Sequence, residues 1–163
     1  MTKGIILDFD QTIVDSSKIE YLRDLRAWST INQNYHLITL QPGIYAFFDF
    51  LYHHQIKIAV VSNAPRKKYL EGLIKHFKLK IDVVIGFEDV SKRKPSSEPM
   101  IIALQLLQLK NTEVISIGDQ VNDIKASNSA QIQAIYYGDY IDESVLFSSK
   151  NFNEIIKYIH TKG

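Results

Sequence analysis

Gly4-Ile5-Ile6-Leu7-Asp8-Phe9-Asp10-Gln11-Thr12 sets a short apolar run directly against two carboxylates one residue apart. The apolar residues are too few for a helix and include β-branched side chains, which predicts a buried strand ending at Asp8. In open α/β sheets ligands bind outside the carboxyl ends of the strands, so both carboxylates fall where a site is expected. Two carboxylates this close repel, and either protonation of one or a bound divalent cation relieves them. Taken alone, the pair reads equally well as a turn or a helix start, because Asp side chains accept from nearby backbone N–H groups.

Outward from this stretch, helical and strand patterns alternate along the chain. That alternation predicts α/β architecture with a parallel sheet of about five strands and helices on both faces. Ser17 and Glu20 have the spacing of a capping box, and Ile19, Leu22 and Leu25 follow at helical intervals, predicting a helix over 17–29. Residues 30–41 are polar and irregular, and Pro42 starts a helix carrying Ile44, Phe47, Phe48 and Leu51. Further strands are expected at 56–61, 81–85, 114–117 and 132–136. Helices are expected after Pro65, after the polar loop 86–97, over 121–129, and after Asn151 or Asn153.

At 163 residues the chain suits one domain over 1–163, and its 45% hydrophobic and 23% charged residues are ordinary globular usage. A net charge of +1 supplies no global field for nucleic acid or an anionic membrane. Cysteine is absent, which excludes disulfides, cysteine-ligated zinc and a thiol nucleophile, so any metal must be held by oxygen or histidine. Nothing at the N-terminus resembles a signal peptide, and no apolar run approaches the roughly 18 residues of a spanning helix. The cytoplasm is the expected location, with no membrane partner.

Four polar clusters fall just beyond predicted strands or in the loop after one: Asp8 with Asp10, Ser62 with Asn63, Lys94, and Asp119 with Asp123. Their convergence on one sheet edge suits phosphoryl transfer, in which catalysis rests on positioning and on neutralising the charge of the transferring group. A carboxylate nucleophile divides one hard displacement into two easier steps. An anion attacking an anionic phosphate needs a cation, and Mg²⁺ takes oxygen ligands of this kind.

Asp8-Phe9-Asp10-Gln11-Thr12, Val61-Ser62-Asn63, Lys94-Pro95 and Gly118-Asp119-Gln120-Val121-Asn122-Asp123 resemble, in order, the four motifs of the haloacid dehalogenase superfamily in its phosphatase branch. The resemblance covers residues 4–136. It implies a three-layer α/β/α Rossmann-like fold and a Mg²⁺-dependent phosphatase acting on a phosphate monoester. By the resemblance, Asp8 is the nucleophile, and Asp10 is the general acid and later the base. Ser62, Asn63 and Lys94 bind the phosphoryl group. The metal ligands are Asp8, Asp10 through its backbone carbonyl, Asp119 and, directly or through another group, Asp123. Thr12 steadies the turn.

Gln11 stands where such proteins more usually carry glycine, and it offers an amide to the substrate. Many relatives insert a bundle of several helices between the first two motifs. Here only 17–41 is available, a rudimentary helical cap, with Trp28 and Tyr21 placed to line an entrance. The open site suits a bulky phosphorylated partner or a small phosphorylated molecule covered by a neighbouring subunit. Arg66, Lys67 and Lys68 open a helix beside the second motif, where an anionic substrate or plain solvation accounts for them; Arg66 and Thr12 are the other possible substrate contacts. His53 and His54 are adjacent and form a poor metal pair. Two alternatives remain: a phosphatase of protein or nucleic-acid termini, and a phospho-accepting or binding module without turnover.

Overall fold

Residues 4–7 form strand β1 (Gly4–Leu7), buried along its whole length, in a computed structural model that describes residues 1–162. Strand β2 (Val14–Asp15), helices α1 (Glu20–Asp24) and α2 (Trp28–Asn32), and strand β3 (Thr39–Leu40) follow, with β2 and β3 paired antiparallel. Helix α3 (Ile44–His53) leads to β4 (Lys57–Val61), and α4 (Glu71–His76) leads to β5 (Val83–Ile85). Helix α5 (Glu98–Leu107) leads to β6 (Val114–Gly118), and α6 (Val121–Ser129) to β7 (Gln133–Tyr136). Strand β8 (Phe147–Ser148) and helix α7 (Phe152–Lys162) come last.

Among the described residues β5, β4, β1, β6, β7 and β8 lie side by side in that order, every neighbouring pair parallel. The sheet has six strands rather than about five because Phe147–Ser148 adds to β7. Leu146 N donates to Ala134 O at 2.7 Å and Ser149 N to Tyr136 O at 3.1 Å. A two-residue strand is too short to show periodicity in the sequence.

The strands alternate between two cores, as the period-2 geometry of a strand requires. Ile5, Leu7, Ile58, Val60, Ile115 and Ile117 face Phe47 and Leu51 of α3, Leu73 of α4, and Ile155 and Ile159 of α7. Ile6, Ala59, Val61 and Ile85 face Met100, Ala103 and Leu107 of α5 and Ala126 of α6. Helices thus cover both faces of the sheet, giving three layers. Each fully buried Ile or Leu contributes about 1.5–3 kcal/mol, so packing, not the polar edge, fixes where β1 delivers Asp8.

The helix expected over 17–29 is broken. Ser17 does not cap it: its N and Oγ both donate to Asp15 Oδ1, at 3.0 and 2.6 Å, in a local turn. A 3-10 turn (Ser17–Ile19) runs into the short α1, and Arg26, at φ 54°, reverses the chain before α2. The helical spacing fails at Leu25, which is 73% exposed, while Ile31 of α2 is fully buried. Residues 17–41 are therefore two short helices leaning on the main core, tied by β3 to β2.

Candidate active site

Parallel strands carry all their carboxyl ends to one edge, and there the polar clusters meet. Asp8 follows β1, its N–H donating to Ile117 O of β6 at 3.0 Å, and Ser62 follows β4, its N–H donating to Ile85 O of β5 at 3.0 Å. Lys94 reaches in from the loop after β5. Its side chain is 4% exposed, and its ammonium donates to Asp8 Oδ1 at 3.0 Å, Asp123 Oδ1 at 2.6 Å and Val61 O at 2.8 Å, engaging all three N–H groups. Asn63 holds the Lys94 main chain, donating through Nδ2 to its carbonyl and accepting at Oδ1 from its N–H, each at 3.1 Å.

Asp123 lies in the first turn of α6, where its Oδ2 accepts from Gln120 N at 3.0 Å. A β-carbon on Gly118 would stand 2.4 Å from Asp123 Cβ, so only glycine lets the end of β6 approach this side chain. Thr12 is fully buried and donates through Oγ1 to Asp119 Oδ1 at 3.2 Å.

Carboxylate oxygens of Asp8, Asp119 and Asp123 lie within 4.8 Å of one another. Burial pushes the Asp8 carboxyl up to about 7 against the pull of Lys94, with Asp119 adding to the rise. Burial likewise carries Asp123 up to about 6, aided by the Asp8 charge, and raises Asp119. For Lys94, burial alone would lower the ammonium, but Asp8 and Asp123 hold it above its ordinary value. Three carboxylates against one ammonium leave negative charge unbalanced. An all-oxygen set with that surplus fits a hard divalent cation.

Asp10 stands apart from this group. Its Oδ1 accepts from Ser16 Oγ at 2.6 Å and from Tyr69 OH at 2.5 Å, and its Oδ2 lies 3.3 Å from the Arg23 guanidinium. Tyr69 belongs to a π-helical turn (Arg66–Leu70) that runs into α4, and burial and then the Asp10 charge raise its phenol. Phe9 and Trp28 rings pack on Tyr69 at 6.1 and 5.5 Å between centroids.

Above these side chains opens a cavity of about 750 Å³ lined by Asp8, Asp10, Ser62, Lys94, Asp123 and Arg23, among others. Gln11 lines it too, with its amide oxygen accepting from Ser16 N at 3.1 Å. Its φ of 61° is the left-handed value at which glycine is unstrained, so the turn survives without glycine. Asn63 lines the cavity with its amide already engaged by Lys94. Ser62 Oγ accepts from Ala64 N at 3.0 Å and does not cap the helix, which starts at Arg66.

Two of the possible substrate contacts are not brought to the cavity. Thr12 is buried beneath it, and Arg66 is turned to Asp89 and Glu71, while Lys67 and Lys68 line the wall instead. Trp28 lines the wall and Tyr21 is 60% exposed outside it. His53 and His54 each place Nδ1 against a carbonyl of the same helix, Asp49 O and Phe50 O, at 2.7 and 2.8 Å. Sequence reasoning missed Ser16, Arg23 and Tyr69, the three partners of Asp10. Tyr69 sits beside Leu70 and reads as core, and Arg23 looks like any charge on a short helix.

The family model described as haloacid dehalogenase-like hydrolase matches residues 18–137. A candidate pyrophosphatase, PpaX, of Caldanaerobacter subterraneus subsp. tengcongensis is 30% identical over 128 residues, covering 76% of this chain and 58% of its own. The pyrophosphatase PpaX of Bacillus cereus is 32% identical over 121 residues, covering 72% of this chain and 55% of its own. The chain thus spans little more than half the length of the curated relatives it matches. The crystal structure of a HAD-superfamily hydrolase from Ehrlichia chaffeensis superposes with a TM-score of 0.77 at 25% identity, covering 99% of this chain and 98% of that one.

Proposed function

The chain belongs to the haloacid dehalogenase-like hydrolase family, and from that membership we propose that it is a Mg²⁺-dependent phosphatase that hydrolyses a phosphate monoester through an aspartyl-phosphate on Asp8. The observation that carries this reading is Lys94 Nζ, 3.0 Å from Asp8 and 2.6 Å from Asp123 at the edge of the three grouped carboxylates. A buried ammonium there favours the ionised form of the attacking carboxylate against its burial, and sets a positive charge beside the transferring group.

In the first step a carboxylate oxygen of Asp8 attacks phosphorus, the bond from phosphorus to the ester oxygen breaks, and Asp10 gives its proton to the leaving oxygen. In the second, Asp10 takes a proton from water as the water oxygen attacks phosphorus, and the Asp8 carboxylate leaves with its bonding electrons. Ser62, free to donate while its oxygen accepts from Ala64 N, reaches the phosphoryl oxygens from the neighbouring strand end. Asp8, Asp119, Asp123 and the Asp10 carbonyl are the groups that would hold Mg²⁺. When bound, the ion neutralises the charge on the carboxylates and on the phosphoryl group.

The substrate is a small phosphorylated molecule, because the cavity of about 750 Å³ has the size of a small-ligand site. Pyrophosphate is a second reading, favoured by the pyrophosphatase names of the relatives. Residues 17–41 serve as a rudimentary cap from which Arg23 and Trp28 reach the cavity. The test is hydrolysis of an aryl phosphate and a panel of phosphorylated metabolites, with and without Mg²⁺. Turnover that persists unchanged in EDTA overturns the metal-dependent reading.

A further inference from the structure

Arg23 enters the cavity from α1 with its hydrogen-bonding capacity underused. One terminal nitrogen donates to Ser16 Oγ at 3.3 Å and the other lies 3.3 Å from Asp10 Oδ2. Its Nε is buried without a hydrogen-bond partner among the described residues. Arg66, by contrast, meets Asp89 at 2.8 and 3.1 Å and Glu71 at 2.5 Å, as a satisfied guanidinium does. A buried donor without an acceptor is costly, and a native site that keeps one has a reason to. The Tyr69 ring, 5.8 Å from the guanidinium carbon, supports the group from below without engaging its donors.

Position gives the reason. Under the phosphatase reading, on which this inference rests, Asp10 protonates the leaving oxygen, so whatever is attached to that oxygen lies next to the group beside Asp10, which is Arg23. Lys67, Lys68 and Arg93 line the same cavity, which Glu20, Asp24 and Glu88 also line. A guanidinium is a planar fork that matches the paired oxygens of a phosphate or carboxylate.

We propose that Arg23 binds an anionic group on the leaving-group side of the substrate, so that the site prefers substrates with two closely spaced anionic groups over a phosphate monoester whose leaving group is uncharged. Arg23 is then a specificity residue, resting on Asp10 and Ser16 until the second anion takes its fork.

The test compares wild type, Arg23→Gln and Arg23→Lys on inorganic pyrophosphate paired with p-nitrophenyl phosphate, and on a phosphorylated hydroxy acid paired with an alkyl phosphate whose leaving group is uncharged, all with Mg²⁺. The aryl leaving group is about as acidic as phosphate, so a disturbed Asp10 affects pyrophosphate and aryl ester alike. Arg23→Gln should lose roughly 10- to 100-fold more kcat/KM on a doubly anionic substrate than on the ester paired with it, mainly through KM, as expected for one charge-assisted contact. Arg23→Lys should recover part of the difference. A larger loss on pyrophosphate than on the aryl ester assigns the second anion as phosphoryl, and a larger loss on the hydroxy-acid ester than on the alkyl phosphate, which needs Asp10 equally, assigns it as carboxylate.

Equal losses within both pairs overturn the assignment while leaving the phosphatase reading intact. If wild type is idle on every ester, that reading falls instead, and calorimetry decides Arg23 alone: pyrophosphate with Mg²⁺ should bind Asp8→Asn more tightly than it binds Asp8→Asn with Arg23→Gln. Unchanged binding overturns the assignment. Circular dichroism reports folding, and where Arg23→Gln fails to fold, Arg23→Lys supplies the same comparisons.

Discussion

Asn63 and Lys94 are joined through two hydrogen bonds, Nδ2 to the Lys94 carbonyl and Oδ1 from the Lys94 N–H, each 3.1 Å long. The resemblance assigned Asn63 to the phosphoryl group, but an amide engaged at both ends is better placed to hold the Lys94 loop. Asn63→Ala should therefore lower kcat on an aryl phosphate by about 10- to 100-fold, with a smaller change in KM. An unchanged kcat in steady-state assays would detach Asn63 from the placement of Lys94.

Lys94→Met should expose the repulsion that Lys94 now balances. Removing one partner from a buried ionic cluster typically costs about 3–5 kcal/mol, and Asp8 and Asp123 would both lose their 3.0 and 2.6 Å contacts with the ammonium. Thermal denaturation should show a lowered Tm without metal and a larger Mg²⁺-induced rise than wild type shows. A variant as stable as wild type in EDTA would contradict the surplus charge.

Gly118→Ala tests the close approach of β6 to α6. The added carbon would stand 2.4 Å from Asp123 Cβ and 2.5 Å from its Oδ2, so Asp123 must move and its contact with Lys94 must lengthen. Overpacking of this kind costs about 1–3 kcal/mol. Activity should fall by at least about tenfold in a protein that still folds, measured as kcat/KM beside a circular-dichroism melt; wild-type activity would place Asp123 outside the machinery.

The pH dependence of stability follows from the same carboxylates. Burial holds Asp8 near about 7 and Asp123 near about 6, against about 4 in an unfolded chain. The folded metal-free protein therefore binds these protons more tightly than the unfolded chain does. Their stabilising contribution is fully present below about pH 4 and is lost as pH rises through about 6 to 7. If Mg²⁺ is held as proposed it competes with protons for the same oxygens, so its Tm increment should grow between about pH 5 and pH 8. An increment independent of pH would break the link between these carboxyls and the metal.

How far the sequence carries can be followed residue by residue. Asp8, Ser62 and Asp119 were legible because each follows an apolar run, and parallel strands bring such ends to one edge. Lys94 was legible through its motif rather than through periodicity. The partners of Asp10 were not: Tyr69 reaches it across a sequence separation of 59 residues, and nothing local marks its phenol as polar-facing. The break in 17–29 was hidden because Ser17 has two options, capping the helix or bonding Asp15, and the sequence pattern does not rank them. Gln11 was visible as a missing glycine, but only its φ of 61° shows that the turn keeps glycine's conformation.

The nucleophilic role of Asp8 is tested most directly by acid-quenching wild type and Asp10→Asn during turnover of an aryl phosphate with Mg²⁺, then locating the phosphoryl group by peptide mass spectrometry. The expected result is a hydroxylamine-labile phosphoryl group on Asp8, accumulating further in Asp10→Asn and absent from Asp8→Asn. A phosphoryl group on another residue, or wild-type turnover by Asp8→Asn, contradicts it.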